Sequence, residues 1–309
     1  MGEKKLKIFF EGESIANQII YDNFNFIQSS IEDCDIVVSS KFEVGLYDKN
    51  EIQNRLNSYN KLKKNVLIFL VSDNSNMFLI PNNVILFRTS LFKSKKNNNE
   101  FLLPYLWDCY SMSEKPLAKS SKPKVGFCGN VNKNLGKRLT TIKVLELNPN
   151  IVTDFILRET FWGGKPHDEK LKNEYIFNLI NSHFTICNRG RGNFAIRFYQ
   201  ALSLGRIPVL IDTDMVFPFE ENINWDEVII KANNELELAE KIVVWWQNKS
   251  DLDVISAQLK CREIYEQYLT ASSFSIFLEQ IIYEKINSFV INDQSNNRFF
   301  QMFLNKIFK

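Results

Sequence analysis

The sequence predicts an α/β protein built on two parallel sheets. Short apolar runs alternate with segments of helical periodicity along most of the 309 residues, which is typical of parallel sheets covered by helices. A Ser/Lys/Pro-rich stretch at 111–123 interrupts the pattern, and a new strand follows it directly. We therefore predict two Rossmann-like domains, at 1–115 and 116–272, whose parallel sheets face a cleft, and a helical segment at 273–309.

The first half of the chain contains apolar runs that indicate buried strands, at 6–10, 35–38, 66–71 and 84–87. Glu11 and Glu13 follow the first run, and Asp73 follows the third. In a parallel sheet such positions lie at the carboxyl ends of the strands, where functional loops gather. These acids are the candidate general bases, and each also fits a simple loop position. The polar stretch at 93–100 is predicted to be an exposed loop.

The second half repeats the alternation. A basic glycine loop, Asn188-Arg-Gly-Arg-Gly-Asn193, separates the apolar run at 184–187 from a helical segment, and a second apolar run at 207–211 follows. Arginine offers a planar fork of donors that suits phosphate, and glycine lets the backbone approach it closely. Arg189, Gly190 and Arg191 are therefore predicted to bind an anion, with a solvated basic loop as the alternative. The other predicted strands of this half are 124–130, 151–156 and 228–230, and its helices are 139–147, 169–181, 235–247 and 252–268.

The helix after this loop is predicted to be amphipathic. Its apolar positions, Ala195, Phe198, Tyr199 and Leu202, follow helical spacing, and Asn193, Arg197 and Gln200 fall on the opposite face. The helix dipole disfavours a cation in the first turn, unless an anion lies between the arginine and the helix N-terminus. We therefore add Asn193, Arg197 and Gln200 to the predicted anion site.

A second loop of the same kind follows the strand at 124–130. It contains Gly129 and Asn130 and leads to Arg138 at the start of the next helix. Alone this pattern is weak, because many strands end in Gly-Asn turns. Because the carboxyl ends of parallel strands share one edge of a sheet, Arg138 is predicted to lie on the same edge as the basic glycine loop.

Composition and charge limit the partners and the compartment. The net charge is only +2, with 38 basic and 36 acidic residues, so no global field attracts nucleic acid or anionic lipid. The five cysteines form no C-x-x-C pair, and no apolar run is long enough to span a bilayer. We expect a cytoplasmic protein. The segment 273–309 could contact the inner face of the membrane as an amphipathic helix. The alternative is that it packs against the rest of the protein.

Other motifs with possible chemistry are less specific. Asp212-Thr213-Asp214 is a D-x-D, which could hold a divalent cation, and a turn capped by Asp212 is preferred. His183 lies beside a buried strand and is expected to be structural. No Walker loop, G-x-S-x-G or H-E-x-x-H pattern is present, which argues against NTPase, serine hydrolase and metalloprotease functions.

Several motifs in the same order resemble the C-terminal signature of exostosin-like glycosyltransferases, glycosyltransferase family 47. They are Phe184-Thr-Ile-Cys-Asn-Arg-Gly, Arg197-Phe-Tyr-Gln-Ala-Leu, Gly205-Arg-Ile-Pro-Val-Leu, Phe217-Pro-Phe and Ile223-Asn-Trp225. The resemblance is concentrated in 184–225, and residues 1–120 match only as a compatible α/β pattern. It departs from the family at Asn188, where proline is common, and at Gln200, where the family has an acid expected to contact the donor.

The resemblance implies a GT-B-like fold and an inverting sugar transfer from a nucleoside diphosphate sugar, with a UDP-sugar favoured, to a glycan or lipid-linked acceptor. It implies no obligatory metal or other cofactor, C-terminal helices that cross back to the N-terminal domain, and a donor diphosphate near Arg189, Arg191 and Arg197. A carboxylate of the N-terminal domain would take the acceptor proton. Two alternatives remain: a non-catalytic sugar-nucleotide or glycan-binding module, motivated by Gln200, and a metal-dependent transferase that uses Asp212 and Asp214.

Overall fold

The computed structural model describes residues 5–12, 15–39, 48–107, 109–110, 115–132 and 138–286. Glu13 and the segment 287–309 lie outside the described residues. The catalytic assignment of Glu13 and the membrane contact of the final segment therefore stay predictions.

The first sheet has six parallel strands in the order β2-β1-β3-β4-β5-β6. All four predicted strands are present, and two short edge strands were missed because each has only three residues and little apolar patterning. The strands are β1 Leu6–Glu11, β2 Phe26–Gln28, β3 Ile36–Ser39, β4 Asn65–Leu70, β5 Val84–Arg88 and β6 Glu100–Leu102, with helices α1 Ile15–Asn23 and α2 Lys49–Tyr59. Helix α2 begins at an N-cap, Asp48, whose carboxylate accepts from the backbone N–H of Asn50 and Glu51 at 2.8 and 2.9 Å.

The prediction of an exposed loop at 93–100 is wrong at its end. Glu100 starts β6 and is only 1% exposed, because its carboxylate pairs with the guanidinium of Arg88 at 2.9 Å. Arg88 also donates to the carbonyls of Asn74 and Asn76, at 2.5 and 2.9 Å. This buried pair thereby fixes the loop that follows β4, which contains Asp73.

The second sheet has five parallel strands in the order β11-β10-β9-β7-β8. All five were predicted, to within a few residues at each end. The strands are β7 Lys124–Asn130, β8 Val152–Arg158, β9 Phe184–Ile186, β10 Ile207–Ile211 and β11 Ile230–Ala232; the helices are α3 Arg138–Glu146, α4 Glu169–Ile180, α5 Ile196–Ser203, α6 Trp225–Val228, α7 Glu235–Gln247 and α8 Asp251–Ile264. A π-helical turn, Tyr265–Leu269, follows α8, and residues 271–286 form a further helix, α9.

Both sheets share one topology. In each, the second strand lies on one side of the first and the later strands lie on the other side. The strand order therefore reverses between β1 and β3 in the first sheet and between β7 and β9 in the second. Doubly wound proteins bind ligands outside the carboxyl ends of the strands at this switch point. The predicted α/β fold with two parallel sheets is confirmed.

Helix α9 returns to the N-terminal half of the chain. Phe274, Leu278 and Ile282 are almost fully buried in the core of the first sheet, and the Phe274 ring meets the Phe87 ring edge to face at 5.8 Å. The predicted crossing back is confirmed, and for 271–286 the core-facing alternative holds. Within the described ranges no helix is both long and apolar enough to span a bilayer.

Helix α5 has its apolar positions buried as predicted, and its opposite, polar face is buried as well. Arg197 and Gln200, on its predicted polar face, are each only 7% exposed. The helix packs between β10, α8 and the π-helical turn, and the Tyr105 ring from the N-terminal half packs against Tyr199 at 5.7 Å. Its polar side chains must therefore find partners inside the protein.

The linker predicted at 111–123 is packed where it is described. The Gln258 side chain of α8 bonds both the N–H and the carbonyl of Leu117, at 2.9 and 2.8 Å. The composition of 111–123 suggested a spacer, but hydrogen bonds from the backbone of its described part attach it to the C-terminal half. The domain boundaries near 115 and 272 stay predictions.

Candidate functional site

The carboxyl edges of the two sheets meet. Loop 89–95, which follows β5, contacts the loops that follow β9 and β10 in the other sheet. The Asn193 N–H donates to Ser90 Oγ at 2.7 Å, and Phe92 and Met215 form an isolated antiparallel bridge. Leu91, Leu102 and Val216 add a small shared apolar cluster. The loops in which the sequence placed functional residues are thus brought together.

Asn193 is the main polar link between the two edges. Its Nδ2 donates to the carbonyls of Leu91 and Thr213 at 2.9 and 3.1 Å, and its Oδ1 accepts from Thr213 Oγ1 and Arg189 at 2.8 and 3.1 Å. The residue is fully buried. These contacts make Asn193 a positioning residue for the basic glycine loop. They give no support to the predicted contact between Asn193 and the donor, which stays a prediction.

The D-x-D segment forms a turn between the two edges. Asp212 Oδ1 accepts from the Asp214 N–H at 2.9 Å, which confirms the preferred capping role of Asp212. The Asp214 carboxylate accepts from the N–H and the hydroxyl of Ser94, the latter at 2.5 Å, and Asp214 has a left-handed φ of 60°. Both carboxylates are therefore engaged in turn and cross-edge contacts.

Arg138 lies at the switch point of the second sheet. Its guanidinium donates to the carbonyls of Asn130 and Asn188, which follow β7 and β9, at 3.1 and 3.3 Å. A side chain on Gly190 would come within 3.2 Å of Arg138 Nη2, so glycine lets the loop approach the guanidinium closely. Burial, together with the nearby charge of Arg197, lowers the pKa of Arg138 to about 10.

Arg197 lies beneath the same point. Its Nη2 donates to the Cys128 carbonyl at 2.6 Å, and its guanidinium lies 4.3 Å from the centre of the Phe127 ring. Among the described residues its buried Nε has no hydrogen-bond partner. A side chain on Gly129 would come within 2.5 Å of Arg197 Nη2. Within the described part of the chain, neither Arg138 nor Arg197 forms an ion pair. Two cations thus lie close together at the switch point without a carboxylate between them.

Arg189 and Arg191 line a cleft between the two halves. The cleft measures about 610 Å³ and is bordered on its other side by the loop after β4, including Asp73. Arg189 donates to the Asn193 side chain and to the Arg191 carbonyl, at 3.1 and 2.9 Å. Burial lowers the pKa of Arg189, and Asp73 opposes that shift. The Arg191 side chain is exposed.

Asp73 is the predicted carboxylate that the structure brings to the arginines. Gly192, in the basic glycine loop, packs directly against it: a side chain on Gly192 would come within 2.9 Å of Asp73 Oδ1 and 3.1 Å of Ser90 Oγ. The Asp73 side chain is exposed to the cleft. Geometry alone therefore favours Asp73 among the described candidate bases.

Glu11 lies at the switch point of the first sheet, outside the set of residues that line the cleft. Its Oε2 accepts from Ser39 Oγ at 3.0 Å and from the hydroxyl of Tyr59. Burial, followed by the hydrogen bond to Glu11, raises the pKa of Tyr59. The contacts hold the Glu11 carboxylate at the ends of β1 and β3, and its catalytic role stays a prediction.

Gln200, the departure from the family pattern, has an internal partner. Its Oε1 accepts from the Tyr175 hydroxyl at 2.5 Å. The Tyr175 ring also lies 5.5 Å from the Arg197 guanidinium. Tyr175 therefore connects Gln200 to the arginine pair, and sequence reasoning missed it because α4 carries no local motif around it.

The other residues that sequence reasoning missed come from the N-terminal half. Lys49, Lys95 and Phe92 line the cleft opposite the basic glycine loop. Phe92 and Lys95 follow the end of β5, so their position after a strand was a usable signal. Lys49 begins α2, and nothing in its neighbourhood in the sequence points to the cleft.

His183 is structural, as expected. Its Nδ1 accepts from the Lys124 N–H at 3.3 Å, its Nε2 bonds the Ala118 carbonyl at 2.9 Å, and its ring packs on Trp246 at 4.6 Å. Burial lowers its pKa. The residue ties β7 to the segment before it, away from the cleft.

Fold and site together define an α/β protein with two doubly wound parallel sheets and a cationic cleft where their carboxyl edges meet. Residues 145–245, about a third of the 309 residues, match the family model of the Exostosin GT47 domain. The resemblance to exostosin-like glycosyltransferases is thereby confirmed, and it extends on both sides of 184–225. Arg189, Arg191, Arg197 and Gln200 lie inside the matched segment, whereas Arg138 and Asp73 lie before it.

Two exostosins are similar to parts of this chain. An Exostosin-1 homolog of Caenorhabditis elegans is 28% identical over 127 residues, which are 40% of this chain and 32% of the relative. Exostosin-1 of Drosophila melanogaster is 42% identical over 65 residues, 21% of this chain and 9% of the relative. The chain thus spans about a third or less of these relatives. Among solved structures, the GtfA/B complex has a TM-score of 0.47 at 9% identity, covering 82% of this chain and 57% of that one.

Proposed function

We propose that the protein is a glycosyltransferase that moves a sugar from a nucleoside diphosphate sugar, with UDP-sugars favoured, to a glycan or lipid-linked acceptor. Support comes from the family match at 145–245 and from the two-sheet architecture with its cleft. Transfer with inversion and without an obligatory metal is part of the proposal, as the resemblance implies.

The observation that carries the proposal is the Arg138–Arg197 pair. Two guanidinium groups lie close together at the switch point with no ion-paired carboxylate among the described residues. Burial and the charge of Arg197 lower the pKa of Arg138, against a smaller opposing effect of Asp73. Burial of such cations is costly unless an opposite charge arrives. A diphosphate supplies that charge at the place where doubly wound sheets bind phosphate.

In the proposed reaction, the acceptor hydroxyl attacks the anomeric carbon and the bond from that carbon to the phosphate oxygen breaks. The departing diphosphate gains negative charge, which Arg138, Arg189 and Arg197 would stabilise in a partly buried site. The hydroxyl proton passes to a carboxylate, for which Asp73 is the best placed of the described candidates. Attack from the face opposite the leaving group gives inversion.

The test is donor binding and turnover in Arg138→Ala, with Lys143→Ala on the exposed face of the same helix as the matched control. We expect UDP affinity to fall by about a hundredfold in Arg138→Ala, because each lost charge-assisted hydrogen bond contributes roughly 1.5–3 kcal/mol. Arg138→Lys, which keeps the charge but not the fork, should fall in between. Unchanged UDP affinity in Arg138→Ala would refute the site assignment.

The binding-module alternative is tested with the same protein. Gln200 supplies no charge and bonds Tyr175, which is the observation in its favour. Incubation with a panel of UDP- and GDP-sugars separates the two functions: slow donor hydrolysis identifies an enzyme, and thermal stabilisation without turnover identifies a binder. Asp73→Asn should abolish turnover and keep UDP binding if Asp73 is the base, and Glu11→Gln is the comparison that tests the other described candidate.

A further inference from the structure

We infer that two copies of the chain associate through their β8 strands, which pair antiparallel about a two-fold axis at Ile156 and join the second sheets of both copies. The surface lies outside the cleft, so the inference does not depend on the proposed function. A second copy of this chain fits the surface because the sequence of β8 is complementary to itself.

The first observation is that β8 is a long edge strand without cover. It has seven residues, none of them fully buried, whereas the other edge strands β2, β6 and β11 have three residues each. Val152 and Leu157 are each 46% exposed. No described strand pairs with β8 on the side away from β7. The common doubly wound order is 3-2-1-4-5-6, and β8 takes the second position while no described strand takes the third. A long apolar edge of this kind is a template for another strand.

The second observation is that little on β8 prevents such pairing. The strand contains no proline, and both of its charged residues form ion pairs within the chain. Asp154 pairs with Lys124 at 3.0 Å, and Arg158 pairs with Glu174 at 2.8 Å. Prolines and uncompensated charges are the usual protection of an edge strand. The β8 edge therefore remains open to a second strand.

The backbone of β8 limits the registers in which a second copy can pair. The Val152 N–H donates to the Pro123 carbonyl at 2.9 Å, toward β7. Because the direction of these groups alternates along a strand, the N–H and C=O groups of Thr153, Phe155 and Leu157 point away from the sheet. In an antiparallel pair of copies, these odd-numbered positions bond one another. The even-numbered positions then face one another without backbone bonds, where opposite side chains are closest.

Charge selects one of these registers. With the two-fold axis at Ile156, Asp154 of each copy lies opposite Arg158 of the other. Phe155 then lies opposite Leu157. With the axis at Phe155, Asp154 would lie opposite Ile156, and with the axis at Asp154 it would lie opposite its own copy. Opposite charges directly across a strand pair stabilise it, and like charges destabilise it.

The same register brings a second contact to each end of the strand pair. Phe161 and Trp162, which follow β8, are 71% and 46% exposed. The register places them beside the residues that precede β8 in the other copy. Those residues border a groove of about 500 Å³ between α3 and α7, whose apolar walls include Leu147 and Leu236. Specific dimers bury about 1,200–2,000 Å² in total, and the aromatic pair adds area that two short strands do not supply.

The first experiment measures the mass and the dissociation constant of the full chain by sedimentation. Wild type should reach twice the chain mass of 36.2 kDa. Leu157→Lys should raise the dissociation constant at least tenfold, because an ammonium group would replace an apolar contact with Phe155. The control is Leu259→Lys, which changes a leucine of similar exposure on α8, 54% against 46%, and should change the constant less than twofold. Circular dichroism checks that both variants are folded.

The second experiment tests the register by disulfide formation. Two copies of a residue on the axis, at a position without backbone bonds, have Cα atoms about 4.5 Å apart, which a disulfide can span. Ile156→Cys should therefore crosslink two copies under mild oxidation. Phe155→Cys, which faces Leu157, should crosslink no more than wild type.

Three results would overturn the inference: a wild-type chain that is a monomer at every concentration, equal dissociation constants for Leu157→Lys and Leu259→Lys, or crosslinking through Phe155→Cys rather than Ile156→Cys. The first result would assign the edge to a strand of another protein. None of them bears on the proposed transferase, because β8 is not among the residues that line the cleft. That function fails on the absence of UDP binding or on its insensitivity to Arg138→Ala.

Discussion

Two buried arginines, one in each half of the chain, have opposite electrostatic surroundings. Arg88 is 1% exposed and pairs with Glu100 at 2.9 Å in the first sheet. Arg197 is 7% exposed and forms no ion pair within the described residues, and it lies close enough to another arginine, Arg138, that its charge adds to the effect of burial in lowering the pKa of Arg138. Arg88 has a permanent counter-charge and fixes a loop. Arg197 has no such counter-charge among the described residues, and it lies at the edge where a ligand would bind.

The comparison shows how a buried guanidinium can be assigned to structure or to ligand binding. An arginine that is paired inside the protein contributes to folding, and breaking the pair leaves an uncompensated charge. An arginine such as Arg197, which donates to the carbonyls of Cys128 and Ile186 and has no carboxylate partner among the described residues, contributes less to folding and keeps its charge for an external anion.

The largest effect is expected for Glu100→Ala. Removing the carboxylate leaves Arg88 buried without a counter-charge, which typically costs about 3–5 kcal/mol of the free energy of unfolding. Urea unfolding monitored by circular dichroism measures it. Glu51→Ala, which breaks the half-exposed pair with Arg55, is the control and should change stability by less than about 1 kcal/mol. A loss as small as that of the control would remove the contrast between the two arginines.

The next effect is expected for Asn193→Ala, which breaks the polar link between the two edges. Its Nδ2 and Oδ1 bond groups of both halves, so truncation should cost roughly 2–3 kcal/mol and weaken UDP binding by releasing the basic glycine loop. Asn224→Ala, which removes an exposed side chain that bonds Glu227, is the matched control. If Asn193→Ala unfolds like the control, the edges are held by their other contacts, such as the hydrogen bonds from Ser94 to Asp214 and the small apolar cluster.

Arg197→Met should separate binding from stability. It removes the hydrogen bond to Cys128 but also removes repulsion with Arg138, so the free energy of unfolding should fall by only about 1 kcal/mol. UDP affinity, measured by calorimetry, should fall tenfold or more. Arg55→Met is the control for loss of an arginine. A large loss of stability with unchanged UDP affinity would make Arg197 a structural residue like Arg88.

The smallest effect is expected for the pH dependence of stability due to His183. Burial lowers its pKa from the ordinary value near 6.5, so the unfolded chain binds a proton before the folded protein does. The contribution of neutral, buried His183 to the free energy of unfolding is therefore fully present above about pH 6.5, and it decreases as the pH falls toward the lowered pKa. Urea unfolding at both pH values measures the effect: His183→Gln should reduce the difference in unfolding free energy between pH 7.5 and 5, and an unchanged difference would contradict the assignment.

Much of the fold could be predicted because its signals are local. Runs such as Val66–Val71 and Ile207–Ile211 are apolar over their whole length, as strands buried on both faces must be. The edge strands β2 and β6 could not be predicted, because three residues carry too little pattern. The buried polar face of α5 could not be predicted either, since helical periodicity reports which side chains are apolar and not what covers the polar ones.

The residues of the candidate site also fall into those that the sequence predicted and those that it could not. The basic glycine loop, Arg138 and the carboxylates after the strands were found from residue type and position alone. The cleft lysines, the Tyr175 hydroxyl on Gln200 and the linking role of Asn193 were not, because each depends on a partner distant in the sequence. Asn193 and Ser90, for example, are 103 residues apart.

The sequence by itself determined the two parallel sheets, the loops that carry the arginines and the resemblance to exostosin-like transferases, because strand patterns, glycine turns and ordered motifs are properties of short segments. The tertiary structure decided which charges face each other. It paired Arg88 with Glu100, left Arg138 and Arg197 without an ion pair among the described residues, and placed Asp73 against Gly192. Burial and electrostatic pairing depend on distance in space, which separate segments acquire only when the two sheet edges meet.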